Sequence, residues 1–370
     1  MDLFTQSLPV SCALSLSSHE RCNAYMKFEA ATIKDIAKAL GLSTSTVSRA
    51  LRDSYEISEA TKKKIKDYAA QINYRPNPVA LSLKEKRTLS IGVLVSEIAN
   101  TFFSQVINGI ESIAYKNGYN VIITQSKESV EREEMILDYL TSRSIDGLII
   151  SVSAETNDFT NLKQLHEKGL PIVFFDRVVE EINTHKVVTD NLDGVYRATQ
   201  HLLQNQCKRI SVIANNANLS ITKERLAGYK KALNEYKMNI DESLIKYCDH
   251  GGLIVEEVEK VVDELLTLKK KPDAMVLLAD KITTETFSIL KKKNINMPQD
   301  IAVIGFNNSK YTSLFSPALS VISQPAFEMG EQAAQLLLNL IESKRAVTDF
   351  KLEALAPEII IRESSQISSR

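Results

Sequence analysis

Two groups of side chains have types and spacings that could do chemistry. The first is compact. Over Thr44 to Leu51, Thr44, Ser45, Ser48 and Arg49 share one face of a helical pattern, and Val47, Ala50 and Leu51 share the other. Small hydroxyls allow close approach to a surface, and an arginine fork can take guanine O6 and N7 together, so this face suits the major groove of a duplex. Ser43 and Thr46 border it, and Lys34 and Tyr74 are flanking candidates. The second group is dispersed, at the ends of apolar runs. Phe102 and Phe103 could stack on a ring, while Asp176, Asp190, Asp193, Arg225, Asp280 and Asn307 offer acceptors and a fork donor for hydroxyls or carboxylates. Each alone fits a loop or cap role equally well; Arg225 and Asp280 are the strongest.

The elements that must position the first group are written locally. Thr32 can cap a helix, with Asp35 as its capping-box partner, and Ile33, Ile36, Ala37 and Leu40 form one apolar stripe. Gly41 stands where a left-handed residue ends such a helix, and Ser43 opens the next. A third helix starts at Ser58 with Ile65, Tyr68, Ala69 and Ile72 inward, and its Lys62, Lys63, Lys64 and Lys66 suit phosphates. Charge agrees. The chain of 370 residues has net charge −1, but residues 27–88 hold thirteen Lys/Arg against seven Asp/Glu, leaving an acidic remainder. A basic module on an acidic body fits a polyanion met at one end.

Residues 1–26 lack a basic signal-peptide start and periodicity, so they read as a disordered leader or an upstream start, with Met26 the working start. At 77–88, Asn77 can cap and Pro78 can open a helix of one to two turns, too short to be stable alone. Such a hinge would form when two copies pack through Val79 and Leu83 in a minor groove, with Ala80 beside them.

The stretches TIKDIAKALGLSTSTVSRAL and ISEATKKKIKDYAAQINYRPNPVALSLK resemble the DNA-binding head of the LacI/GalR family of bacterial transcriptional regulators. The likeness implies that Leu83 pries apart a base step, and that Pro78 and Leu81 replace more usual small or polar residues. From Leu89, apolar runs at 91–95, 121–124, 147–151, 172–176 and 187–190 alternate with helical stretches, and a second series runs at 210–214, 274–279, 301–306, 320–325 and 358–363. These read as buried strands of an α/β body, 89–370, of two doubly wound lobes, about 89–190 and 191–320 with crossovers near 320–325, behind a helix-turn-helix head at 27–76. The family likeness extends to Phe175-Asp176-Arg177, Asp190-Asn191, Arg225 to Tyr229, Ile304 to Asn308 and Gln324-Pro325. It implies a ligand contact at His250 and a periplasmic-binding-protein-like body. It also marks Asn307 as a departure from the family's usual Asp. Arg177 suits a structural ion pair instead.

The expected function is a cytoplasmic, dimeric repressor that binds a palindromic operator in double-stranded DNA and answers to a sugar-like effector, with no cofactor, metal or membrane partner. No leucine heptads follow Ser365, so a dimer is the default over a tetramer. The four cysteines show no Cys-x-x-Cys, and there is no Gly-x-Ser-x-Gly, P-loop, dinucleotide fingerprint or His-Glu-x-x-His, which opposes an enzyme or a zinc protein. A secreted sugar-binding transport protein would share the body but has no use for a basic head. A regulator with a vestigial cleft is the other alternative.

Overall fold

The computed structural model describes residues 31–75 and 87–367. The expected leader and the hinge residues Asn77, Val79, Ala80 and Leu83 lie outside the described residues. The chain divides into two units, Met1–Glu85 and Lys86–Arg370.

In the first unit, α1 (Ile33–Leu40), α2 (Thr44–Leu51) and α3 (Glu59–Gln71) form a three-helix head. Local chemistry sets each boundary. Thr32 accepts from the Asp35 backbone while the Asp35 carboxylate accepts from Thr32 N–H at 2.8 Å, a complete capping box. Gly41 ends α1 at φ +67°, a conformation that strains any residue with a Cβ. Ser43 caps α2 and Ser58 caps α3. Ile36, Val47 and Ile65 are fully buried at the centre, each worth about 1.5–3 kcal/mol, and Leu42, Tyr68, Ile72 and Tyr74 pack around them.

The second unit begins with β1 (Ser90–Val95), α4 (Thr101–Lys116), β2 (Asn120–Gln125), α5 (Val130–Ser142), β3 (Gly147–Ile150), α6 (Thr160–Glu167), β4 (Ile172–Phe175) and β5 (Lys186–Thr189). It continues with α7 (Asn191–Gln204), β6 (Ile210–Ala214), α8 (Ser220–Glu235), β7 (Ile245–Tyr247), α9 (Val255–Leu266), β8 (Ala274–Leu277), α10 (Asp280–Lys292), β9 (Ala302–Phe306) and β10 (Ser320–Ser323). Helix α11 (Ala326–Glu342), β11 (Leu352–Leu355) and β12 (Glu358–Ile360) complete it. One sheet has the order β11-β5-β4-β3-β1-β2 with all pairs parallel. The other has the order β12-β10-β9-β8-β6-β7, parallel except for β10–β12. Helices cover both faces, so each lobe has two apolar cores, and the central strands are buried on both sides.

Three features differ from the sequence reading. Beyond the crossover expected near 320–325, α11 and β11 pack on the first lobe's sheet; what differs is a third crossing, between β11 and β12, that puts β12 in the second sheet. The run at 121–124 is not a buried strand: β2 is the sheet edge, and Ile123 is 40% exposed. The run at 358–363 is likewise an edge strand and only partly buried. Helices α4 and α11 touch backbone to backbone, since a Cβ on Gly109 would lie 2.1 Å from the Phe327 carbonyl and one on Gly330 2.1 Å from that of Val106. This contact fixes α4, whose first turn carries Phe102 and Phe103.

Candidate functional site

The carboxyl ends of the strands of both lobes face a cleft enclosing about 590 Å³ including its open mouth. Phe102, Phe103, Asp176, Arg225, His250 and Asp280 line it together, and so does Arg177. The two phenylalanines form an edge-to-face pair with ring centres 5.1 Å apart, and Phe103 meets Phe175 the same way. Both are about 4% exposed, so they act as wall more than as open stacking platform.

Asp176 follows β4 in a left-handed conformation at φ +56°, which is costly for a residue with a Cβ and is tolerated best by Asp and Asn. The bend delivers its carboxyl to the cleft floor. Burial raises its pKa, and the nearby Arg225 and Arg177 and a hydrogen bond from Gln324 oppose that rise. Arg225, from α8, donates Nε to Asn191 Oδ1 at 2.8 Å and Nη1 to the Leu278 carbonyl at 2.7 Å, and its guanidinium lies 3.7 Å from the centre of the Phe306 ring. Burial lowers its pKa to about 10, so it remains a cation at neutral pH. Asp280 opens α10; burial pushes its carboxyl up to about 6, with the Asn308 N–H and Lys281 opposing. Asn307 donates Nδ2 to Asp280 at 3.2 Å, and Asn308 N–H approaches its other oxygen at 3.4 Å.

Three expected cleft residues are placed elsewhere. Asp190 is the exposed N-cap of α7 and accepts from Asp193 N–H at 3.0 Å; Asp193 is half-buried and pairs with Arg197 at 3.2 Å. Both are used where an acid stabilises a helix start. Asn307 does not line the cleft but supports Asp280, which does. Conversely, the structure pairs Arg177 as the sequence suggested and brings in Glu128, Glu97 and Lys281, which sequence reasoning missed. Arg177 makes two bonds to Glu128, at 2.6 and 2.9 Å, in a buried pair. Burial opposes the charge on Glu128, yet Arg177 outweighs it and holds that carboxyl below its ordinary pKa. Lys281 from the second lobe meets Glu97 from the first at 2.9 Å, and Gln324 donates to Thr189 at 2.9 Å. These partners are far apart in sequence, and only Arg177 and the Gln324-Pro325 pair carried a signal.

On the head, Lys34, Ser43, Thr44, Ser45 and Arg49 are exposed, while Thr46, Ser48 and Tyr74 are half-buried. Ser43 and Thr46 hydroxyls bond each other at 2.9 Å, and Ser48 accepts from Arg52 Nη2 at 2.9 Å. Lys62 is not a free phosphate contact: it is 7% exposed and pairs with Glu59 at 2.7 Å and Asp53 at 3.7 Å. Lys66 is held by Asp53 at 2.9 Å, whereas Lys63 and Lys64 are exposed. Tyr74 packs on the head core, where burial raises its pKa.

Among the described residues no cluster of His, Cys, Asp and Glu could hold a metal, and no helix is long and apolar enough to cross a membrane. Cys207 and Cys248 are buried, and burial raises both thiols to about 12.

A capped helix-turn-helix head joined to a two-lobed body with a polar cleft defines a DNA-binding regulator of the ligand-responsive type. Residues 32–77 match the family described as bacterial regulatory proteins, lacI family, and residues 88–353 match the periplasmic binding proteins and sugar binding domain of the LacI family. The chain belongs to the LacI family of transcriptional regulators. It is 31% identical over 334 residues to the HTH-type transcriptional repressor PurR of Vibrio atlanticus (strain LGP32), covering 90% of this chain and 98% of that protein. Among solved structures, the transcriptional regulator CelR–cellobiose complex aligns with TM-score 0.68 at 27% identity, over 90% of this chain and 99% of that one. The lac repressor dimer bound to operator and the anti-inducer ONPF aligns with TM-score 0.78 over 92% of this chain and all of that one; at 23% identity it speaks to the fold.

Proposed function

We propose that the chain is a cytoplasmic repressor that binds a pseudo-palindromic operator as a homodimer and releases or engages it according to a sugar-like ligand in the cleft. It performs no catalysis of its own. Lys34, Ser43, Thr44, Ser45, Thr46, Ser48, Arg49 and Tyr74 form the head's share of the DNA surface, with Arg49 as the base-reading fork. Phe102, Phe103, Asp176, Arg225, His250 and Asp280 form the ligand site.

The observation that carries the ligand reading is the convergence of Asp176, Arg225 and Asp280 on one cleft beside an aromatic wall. Two carboxylates accept from hydroxyls, and a guanidinium already held by Asn191 and Leu278 donates without reorganising. The cellobiose complex of the CelR regulator supports the ligand class. His250, 3.4 Å from Glu257 and half-exposed, contributes at the mouth.

A thermal-shift screen of neutral mono- and disaccharides against the full-length chain tests this. A ligand at about a hundred times its Kd should stabilise the body by about 2.7 kcal/mol, and Arg225→Ala should remove that shift. A sugar shift that persists in Arg225→Ala would exclude this site.

A further inference from the structure

Arg49 lies in the last turn of α2, and Glu56 lies in the turn leading to α3. Their side chains meet with Nη1 2.8 Å from Oε2, and about half of each side chain is exposed. The placement is built in. Ser54 N–H closes on the Arg49 carbonyl at 3.0 Å, Asp53 is clamped by Lys66 at 2.9 Å, and Ile57 packs on the head core. Neighbouring Arg52 is tied instead to Ser48, through Nε to its carbonyl at 3.1 Å and Nη2 to its hydroxyl at 2.9 Å.

A carboxylate here needs a reason. An exposed ion pair adds little to stability. On a surface that meets a phosphate backbone, a fixed negative charge repels the partner. Glu56 nevertheless stands against Arg49, the fork donor of the reading face that makes no bond to Ser48. Engaging one terminal nitrogen restricts the rotamers of Arg49 and aims the rest of the guanidinium outward as a fixed donor edge. It also makes a phosphate compete with a carboxylate already in contact, while a guanine edge needs only the donors left free.

We propose that Glu56 is a specificity-determining positioning residue that holds Arg49 for a base edge and withholds it from the backbone. This rests on Arg49 reading a base. The test uses the full-length chain, a duplex selected by the wild-type protein from a pool with randomised palindromic half-sites, and an unrelated duplex of equal length. Glu56→Ala should bind the unrelated duplex several-fold more tightly, with a salt dependence steeper by about one charge. The preference for the selected duplex should fall by about tenfold, at the base pair that Arg49→Ala relaxes. Glu56→Gln, which keeps a hydrogen-bond acceptor without the charge, should fall between, and Glu56→Ala should change the preference no further in an Arg49→Ala background. Unchanged preference in Glu56→Ala, or relaxation at a different base pair, overturns the inference while the role of Arg49 stands. An Arg49→Ala chain that discriminates undiminished at every base pair overturns that role, and the inference with it.

Discussion

The chain contains the same chemical pair in two settings. Arg49–Glu56 sits half-exposed on the head, and Arg177–Glu128 is buried in the first lobe under the cleft. In water the attraction is small and screened, so the first pair adds little to stability and can act on how Arg49 meets a partner. In the interior, separation would strand an uncompensated charge, so the second pair is scaffold. Arg225 combines both: its fixed bonds to Asn191 and Leu278 are buried, yet the side chain also borders the cleft. An arginine's burial and prior commitments thus decide whether it supports a site or serves as one.

The sharpest way to break this contrast is to remove one arginine from each pair. Arg177→Met should destabilise the body by about 3–5 kcal/mol, read as a lower denaturant midpoint at an unchanged slope. Arg49→Ala should change the melting by less than about 1 kcal/mol while relaxing operator preference at the base pair it reads, in a binding assay. Equal stability losses in the two variants would erase the distinction.

Asp280 sharpens it further, being a half-buried carboxyl with no cation bonded to it among the described residues. Burial pushes it up to about 6, against an ordinary value near 4. Between those values the folded chain retains a proton that the unfolded chain has released. The stability this contributes is complete below about pH 4 and lost as pH rises through about 6. Asp280→Asn should therefore flatten that fall and leave the variant roughly 2 kcal/mol more stable than its parent at pH 7, measured by denaturant titration at several pH values. Binding of a hydroxylated ligand should strengthen in the parent through the same range, as the ionised acceptor appears. A smaller effect is expected at the head: Thr32→Ala, which removes the capping box, should cost about 1 kcal/mol in melting and weaken all duplexes alike.

How far the sequence could be read follows the range of the interactions. The head was legible because its determinants are local. The Thr32–Asp35 box, the left-handed Gly41 and the Ser43 and Ser58 caps each act within three or four residues. The central strands were legible because burial on both faces demands continuous apolar runs. Strand β11 was not, since its sequence Leu-Glu-Ala-Leu at a sheet edge has no such run, nor was the short edge strand β7. In the cleft, residue type indicated what could bind but not what was already engaged. Asp190 and Asp193 look like ligands until the α7 start is seen to use them. Asn307 looks like a lost acceptor until it is seen donating to Asp280. The Glu128–Arg177 and Glu97–Lys281 pairs join residues that only the tertiary fold brings together.

The central claim is that occupancy of the cleft changes how the head binds DNA. The most direct test is the affinity of the full-length chain for its selected duplex, by fluorescence anisotropy, with and without a saturating concentration of the sugar giving the largest melting shift. The account predicts a change of at least about fivefold, in either direction, that disappears in Arg225→Ala. Identical affinities with a ligand demonstrably bound in the cleft would contradict it.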